Sequence, residues 1–188
     1  LEARKTMMEL DPPEHTNYRR MVQPPFSRRE VESYEEGLRL MARECIAETK
    51  GRDSFDFVEM LARQLPMRML GKMLGIPDKD GPWLVKQGDA LIGNTDPDFT
   101  SHPVDLVDTK DYRLLPFRSP VSLELFKYAE EQAKLRRDNL GDDVISRLLQ
   151  PKRDGEPLSE LEFKNFFTLL VAAGNDTTRY TMTAGMLA

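Results

Sequence analysis

Residues 163–188 read as one long apolar helix whose middle is occupied by Ala173-Gly174-Asn175-Asp176-Thr177-Thr178. Helix physics does not favour that insert. Gly costs about 1 kcal/mol against Ala in a helix interior, and Asn, Asp and Thr rank low in helix propensity. Their side chains also compete with the helix for its own backbone hydrogen bonds. A local rule broken inside an otherwise strong element is where a functional site is expected.

The spacing sharpens this. Phe163, Phe167, Leu170, Gly174, Thr177 and Thr181 follow steps of three and four, so they share one helix face. The face is bulky at first, bare at Gly174 and hydroxyl-bearing at Thr177. Asp176 lies about 100° around the helix from Thr177 and points sideways. Two readings stand. A flat ligand approaches the backbone at Gly174, with an alcohol and an acid beside it. Alternatively the helix ends at Gly174 as a C′ glycine and restarts with Asp176 or Thr177 as N-cap.

The 188 residues can build one sizeable core, and the length does not call for two domains. A charged share of 31 % with 39 % hydrophobic residues suits a soluble helical protein with well-solvated outer faces. The net charge of −5 does not indicate a duplex-binding surface. No apolar run reaches about 18 residues, so no membrane span is expected. One cysteine and two histidines cannot build a disulfide or a structural zinc site, which suits a reducing cytoplasm. There is no Met at position 1, and Gly185-Met186-Leu187-Ala188 continues the apolar pattern without a cap. Residues 1–188 therefore read as an internal segment of a longer chain.

Along the chain, Asp11-Pro12-Pro13 opens a helix that finishes near Pro24-Pro25. Ser27-Arg28-Arg29-Glu30 is a capping box before a helix with Val31, Tyr34, Leu38, Met41, Ala42, Cys45 and Ile46 on one face, ended by Gly51. A third helix covers about 54–73, kinked or split by Pro66, and a fourth covers 78–92. Between Gly93 and Phe117 the pattern dissolves, and a connector that long is read as a lid or binding loop. Helices follow from Ser119-Pro120 and from Gly141-Asp142-Asp143, then a polar turn over Pro151–Pro157. Ser159-Glu160-Leu161-Glu162 is a capping box opening the final helix. The chain reads as mainly α.

His15 and Arg19 are four apart, so their side chains meet on one face and can grip an anionic group, Arg supplying a fork and His a second donor. An ordinary solvated helix face is the plainer reading of that pair alone. Cys45 falls on an apolar stripe, where a free cysteine behaves as a small hydrophobe.

Asp11-Pro12-Pro13-Glu14-His15 followed by Arg19, Arg20 and Phe26, together with Ala173-Gly174-Asn175-Asp176-Thr177-Thr178-Arg179, resembles the cytochrome P-450 family of haem-thiolate monooxygenases in its bacterial branch. The first motif is similar to the family's helix C and the second to its oxygen-activating helix I. The resemblance implies an orthogonal multi-helix fold, partial here, running from about helix C into the long central helix. It implies haem b as cofactor, with His15 and Arg19 holding a propionate and Ala173 and Gly174 lying against the porphyrin. Thr177 would hydrogen-bond oxygen at the iron or its water, and Asp176 would relay protons inward. Leu91, Ile92, Phe99 and Ala172 would touch substrate, and the 93–117 loop would act as a lid.

The implied reaction is hydroxylation of a hydrophobic small molecule with O2 and electrons from a ferredoxin-type donor. A basic surface built from Arg20, Arg28 and Arg29 would suit an acidic partner, ordinary surface charge being the plainer reading of any one of them. The family's Glu-x-x-Arg pair and its cysteine ligand loop have no match in these residues, so the segment alone is expected to be inactive, and Cys45 is not a substitute. The contrasting expectation is a non-catalytic helical ligand-binding or interaction module, in which the Gly174–Thr178 insert is simply a helix break.

Overall fold

The computed structural model describes residues 6–150 and 157–188. The turn read over 151–157 falls, for 151–156, outside the described residues. Among the described residues the secondary structure is helical, with a lone bridge between Val104 and Val107. The helices are α1 (Glu14–Val22), α2 (Arg28–Ser33), α3 (Glu35–Ala47), α4 (Gln64–Leu74), α5 (Gly81–Ile92), α6 (Val121–Arg136), α7 (Val144–Leu149) and α8 (Glu160–Leu187).

The 28 residues of α8 form the axis on which α4, α5 and α6 pack. Its start follows from local chemistry. Ser159 Oγ accepts the Glu162 amide at 3.3 Å, and Glu162 accepts the Ser159 amide at 2.8 Å, so two orphan donors are satisfied reciprocally. Phe163, Phe166, Phe167, Leu169 and Val171 then enter the core against Leu84, Leu91, Leu125 and Ala129.

No break occurs at Gly174–Thr178; the helix continues to Leu187. The hydroxyls of Thr177, Thr181 and Thr183 donate to carbonyls one turn back, at 3.3, 2.8 and 2.9 Å. Their competition for backbone groups is thus resolved inside the helix, and burial of the aromatic half outweighs local propensity. The break-and-restart reading of the insert is corrected.

Two further expectations change. The single helix expected over residues 27–51 is divided at Tyr34, whose amide bonds the Val31 carbonyl at 3.1 Å and tightens the turn into an i→i−3 closure. Ser27 starts α2 without a side-chain cap, and the apolar stripe is not uniformly buried: Val31 is 52 % and Ile46 51 % exposed, while Cys45 is buried. The helix expected over 54–73 is split ahead of Pro66. Pro66 has no amide to offer Ala62, and the preceding residues Val58–Ala62 wind as a π turn closed by the Arg63 amide on Val58 at 2.9 Å.

The end of α4 is held from a distance. Gly75 takes φ +65°, and the Ile76 amide reaches Gly71 at 2.8 Å. Arg136 of α6 donates to the Leu74 and Gly75 carbonyls at 3.2 and 2.6 Å while pairing with Asp143, the residue that caps α7 through the Ser146 amide at 2.9 Å. The 93–117 connector is folded on itself: Asn94 donates to the Phe117 carbonyl at 2.6 Å and accepts the Val104 amide at 2.7 Å. Phe117 and Arg118 both sit in the left-handed region, with φ of 58° and 51°.

Candidate functional site

α8 crosses from core to open surface at the insert. Ala172 and Asn175 are buried, Gly174 and Asp176 are half-buried, and Ala173, Thr177 and Thr178 are exposed. Ala173 and Thr177, one turn apart, form an open strip free of bulk. Gly174 belongs to a different side. A Cβ built on it would come within 3.0 Å of Leu70 Cδ2, so its bareness serves the approach of α8 to α4. Beside it, α3, α4 and α8 leave an apolar groove of about 330 Å³, lined by Leu38, Met69, Met73, Thr178 and Met182 among others.

Behind Asp176 lies a buried charge cluster. Asp89 of α5, with a side chain 3 % exposed, accepts from Arg63, from Arg179 Nη1 at 2.6 Å and from Asn175 Nδ2 at 2.9 Å. The other Arg179 nitrogen donates to Asp176 at 2.5 Å. Burial alone would depress the Arg63 guanidinium, and the Asp89 and Glu59 carboxylates more than offset it, leaving Arg63 raised and charged. A buried carboxylate is tolerable only with such compensation.

Sequence reasoning quoted Asn175 and Arg179 without giving them roles and passed over Asp89 and Arg63. The available signal was an acid on an apolar stripe, since Val85, Asp89 and Ile92 follow steps of four and three.

α1 is docked on α8 by Tyr18, whose hydroxyl donates to the Glu162 carbonyl at 2.7 Å and whose ring meets Phe166 edge-on at 6.1 Å. His15 is half-buried and Arg19 exposed, and neither makes a side-chain hydrogen bond or ion pair to another described residue. They do not line the cleft of about 570 Å³ between α1 and α8, which Glu14, Tyr18, Met21, Glu162 and Asn165 help to form. Leu91 and Ala172 are closed within the core, Ile92 is half-buried, and Phe99 is 47 % exposed, resting on Gly93. Cys45 is 1 % exposed and accepts from Arg68 at 3.4 Å. Among the described residues no group of three or more His, Cys, Asp and Glu could hold a metal ion, and no helix is long and apolar enough to cross a membrane.

No protein-family model matches this chain. A steroid C26-monooxygenase of Mycobacterium tuberculosis is 34 % identical over 185 residues, taking in 98 % of this chain and 40 % of the relative. A methyl-branched lipid omega-hydroxylase of the same organism is 34 % identical over 187 residues, covering 97 % and 41 %. Among solved structures, a cytochrome P-450 from Mycobacterium marinum in complex with pseudoionone superposes with a TM-score of 0.79 at 34 % identity over 97 % of this chain and 42 % of its own. The chain belongs to the cytochrome P-450 family.

This P-450 chain spans 40 % of the length of the steroid monooxygenase it matches. Membership implies a haem cofactor. The residues present fit that group: the Ala173–Thr177 strip offers a surface without side-chain bulk, and the His15/Arg19 face offers donors not engaged by other described side chains. Cys45, on α3, is buried and faces Arg68 of α4.

Proposed function

We propose that this chain is part of a single haem b monooxygenase domain that hydroxylates a hydrophobic small molecule, using O2 and electrons from a ferredoxin-type donor in the cytoplasm. The observation that carries the reading is the open Ala173–Thr177 strip with Asp176 held at its flank. Haem, when bound, supplies the activation of dioxygen for insertion of one oxygen atom into a C–H bond. The chain's own part is to hold, orient and supply protons. Ala173 lets a flat group lie close to α8, with the Gly174 backbone beside it. Thr177 places its hydroxyl oxygen toward that space, and Asp176 holds a proton at its carboxylate for delivery along α8. His15 and Arg19 take a propionate, Arg19 as a charge-assisted donor. Asp176 and Thr177 are thus the catalytic pair.

The relatives' named substrates, a steroid and a branched lipid, support the same class here. Ile92 and Phe99, at the root of the 93–117 lid, are the reachable members of the substrate set, and Leu91 and Ala172 support them from the core. With Cys45 enclosed, the segment alone is inactive.

The test is the intact protein carrying Thr177→Ala. Electron consumption should continue while product falls, and unchanged coupling would overturn the assignment. Arg19→Ala should loosen haem; full occupancy after gel filtration counts against the propionate grip.

A further inference from the structure

We propose that Asp89 is the positioning residue for Asp176, acting through the Arg179 guanidinium. The inference rests on the relay role given to Asp176 above and adds what sets that acid's resting place.

Arg179 stands three residues after Asp176 on α8, and an exposed pair at that spacing is weak and mobile. This one is neither fully exposed nor free. The Arg179 side chain is 20 % exposed, and its Nη1 is committed to Asp89 at 2.6 Å. Asp89 is itself immobilised: Asn175 donates to the same oxygen at 2.9 Å, and Arg63 takes the other. The guanidinium is therefore clamped at the end away from Asp176, and a rigid planar fork clamped at one nitrogen has little choice about the other. Nη2 is delivered to Asp176 at 2.5 Å, drawing its carboxylate along the α5 flank of α8. Asp176 keeps a side chain 36 % exposed, so rotation away from Arg179 is open to it.

A relay acid must alternate between two positions. Arg179 defines the resting one, and Asp89, by competing for the same guanidinium, sets how firmly the acid is held. The Asp89 carbonyl also accepts the Gly93 amide at 2.7 Å, so one residue fixes both the anchor of the acid and the root of the 93–117 connector.

The cluster is lopsided in a way that makes it testable. Loss of Arg179 leaves Asp89 paired with Arg63, whereas loss of the Asp89 charge leaves two guanidiniums facing each other. In the intact, haem-loaded protein, Asp89→Asn should turn Arg179 wholly onto Asp176. kcat should fall about tenfold, part of what a positioned acid contributes, with KM unchanged and a larger solvent isotope effect. A crystal structure of that variant should show both Arg179 terminal nitrogens on Asp176, a readout independent of turnover. In an Arg179→Gln background, Asp89→Asn should add no further loss. Additive losses, or a fall confined to thermal stability or KM with the isotope effect unchanged, overturn the proposal.

If Asp89→Asn fails to fold, Arg179→Lys carries the test. An ammonium is a point charge without the guanidinium's fixed planar fork, so Arg179→Lys should behave as Arg179→Gln; native kcat and isotope effect in it overturn the proposal. Asp176→Asn separates the two levels. Intact coupling in Asp176→Asn sinks the relay and this inference together, while uncoupling there with additive Asp89 and Arg179 effects sinks the inference alone.

Discussion

The Tyr18 hydroxyl donates to the carbonyl of Glu162 at 2.7 Å, joining α1 to the first turn of α8 across 144 positions of sequence. Because His15 and Arg19 ride on α1, this bond helps to set where their cationic face lies relative to α8. Burial, with the Glu162 charge adding to it, pushes the Tyr18 hydroxyl well above the ordinary tyrosine range. Above about pH 10 the unfolded chain has released a proton that the folded chain still holds, so stability is full below that pH and falls as pH rises past it. Tyr18→Phe in the intact protein should cost about 1 kcal/mol at neutral pH and flatten the alkaline limb of a melting-temperature profile. An unchanged limb would show that Tyr18 ionises as it does in the unfolded chain.

Arg136 should behave as a structural hub. Its side chain is 11 % exposed, pairs with Asp143 and closes the last carbonyls of α4. Arg136→Ala should lower stability by about 3 kcal/mol in denaturant unfolding, because Asp143 is left half-buried and the α4 end unsatisfied. Arg136→Lys should recover little, since a single ammonium cannot reach both ends.

A Cβ added at Gly174 would stand 3.0 Å from Leu70 Cδ2, closer than ordinary carbon–carbon contact. Gly174→Val should overpack the α4–α8 contact and cost about 1–3 kcal/mol. Adding Leu70→Ala should return part of that loss. Additive costs in the double variant would show that the two side chains do not compete for one space.

Asn94 closes the neck of the connector through the Phe117 carbonyl at 2.6 Å. Asn94→Ala removes a bond worth about 1 kcal/mol, so amide exchange across 95–116 should quicken about fivefold while α5 and α6 stay protected. Equal exchange in both proteins would mean that the neck is held elsewhere.

What could be read from the sequence was mostly local. Ser159 with Glu162, and Asp143 with Ser146, carry both partners within one turn, so the starts of α8 and α7 were visible. Pro66 announced its split for the same reason, as the missing amide is written in the residue itself. The turn at Tyr34 was not visible, because the stripe from Val31 to Ile46 is a good helix pattern and only the fold decides which of its residues face outward. The polar insert was recognised as special, but its helicity was undecidable locally; the buried aromatic turns before it settle the matter. The Asp89–Arg179 pair spans 90 positions, and no local pattern joins α5 to α8. Gly174 shows a subtler limit: the spacing grouped it with Thr177, whereas the fold turns it toward Leu70, and a bare position reads the same whether a ligand or a neighbouring leucine occupies the space.

The Thr177 hydroxyl spends its hydrogen on the Ala173 carbonyl at 3.3 Å. What it turns outward is then a pair of electrons and no proton. A guest settling on that strip is met by an acceptor, so the guest must bring the hydrogen. Water is received there more readily than a bare oxide, and any proton destined for chemistry must come from elsewhere than the alcohol.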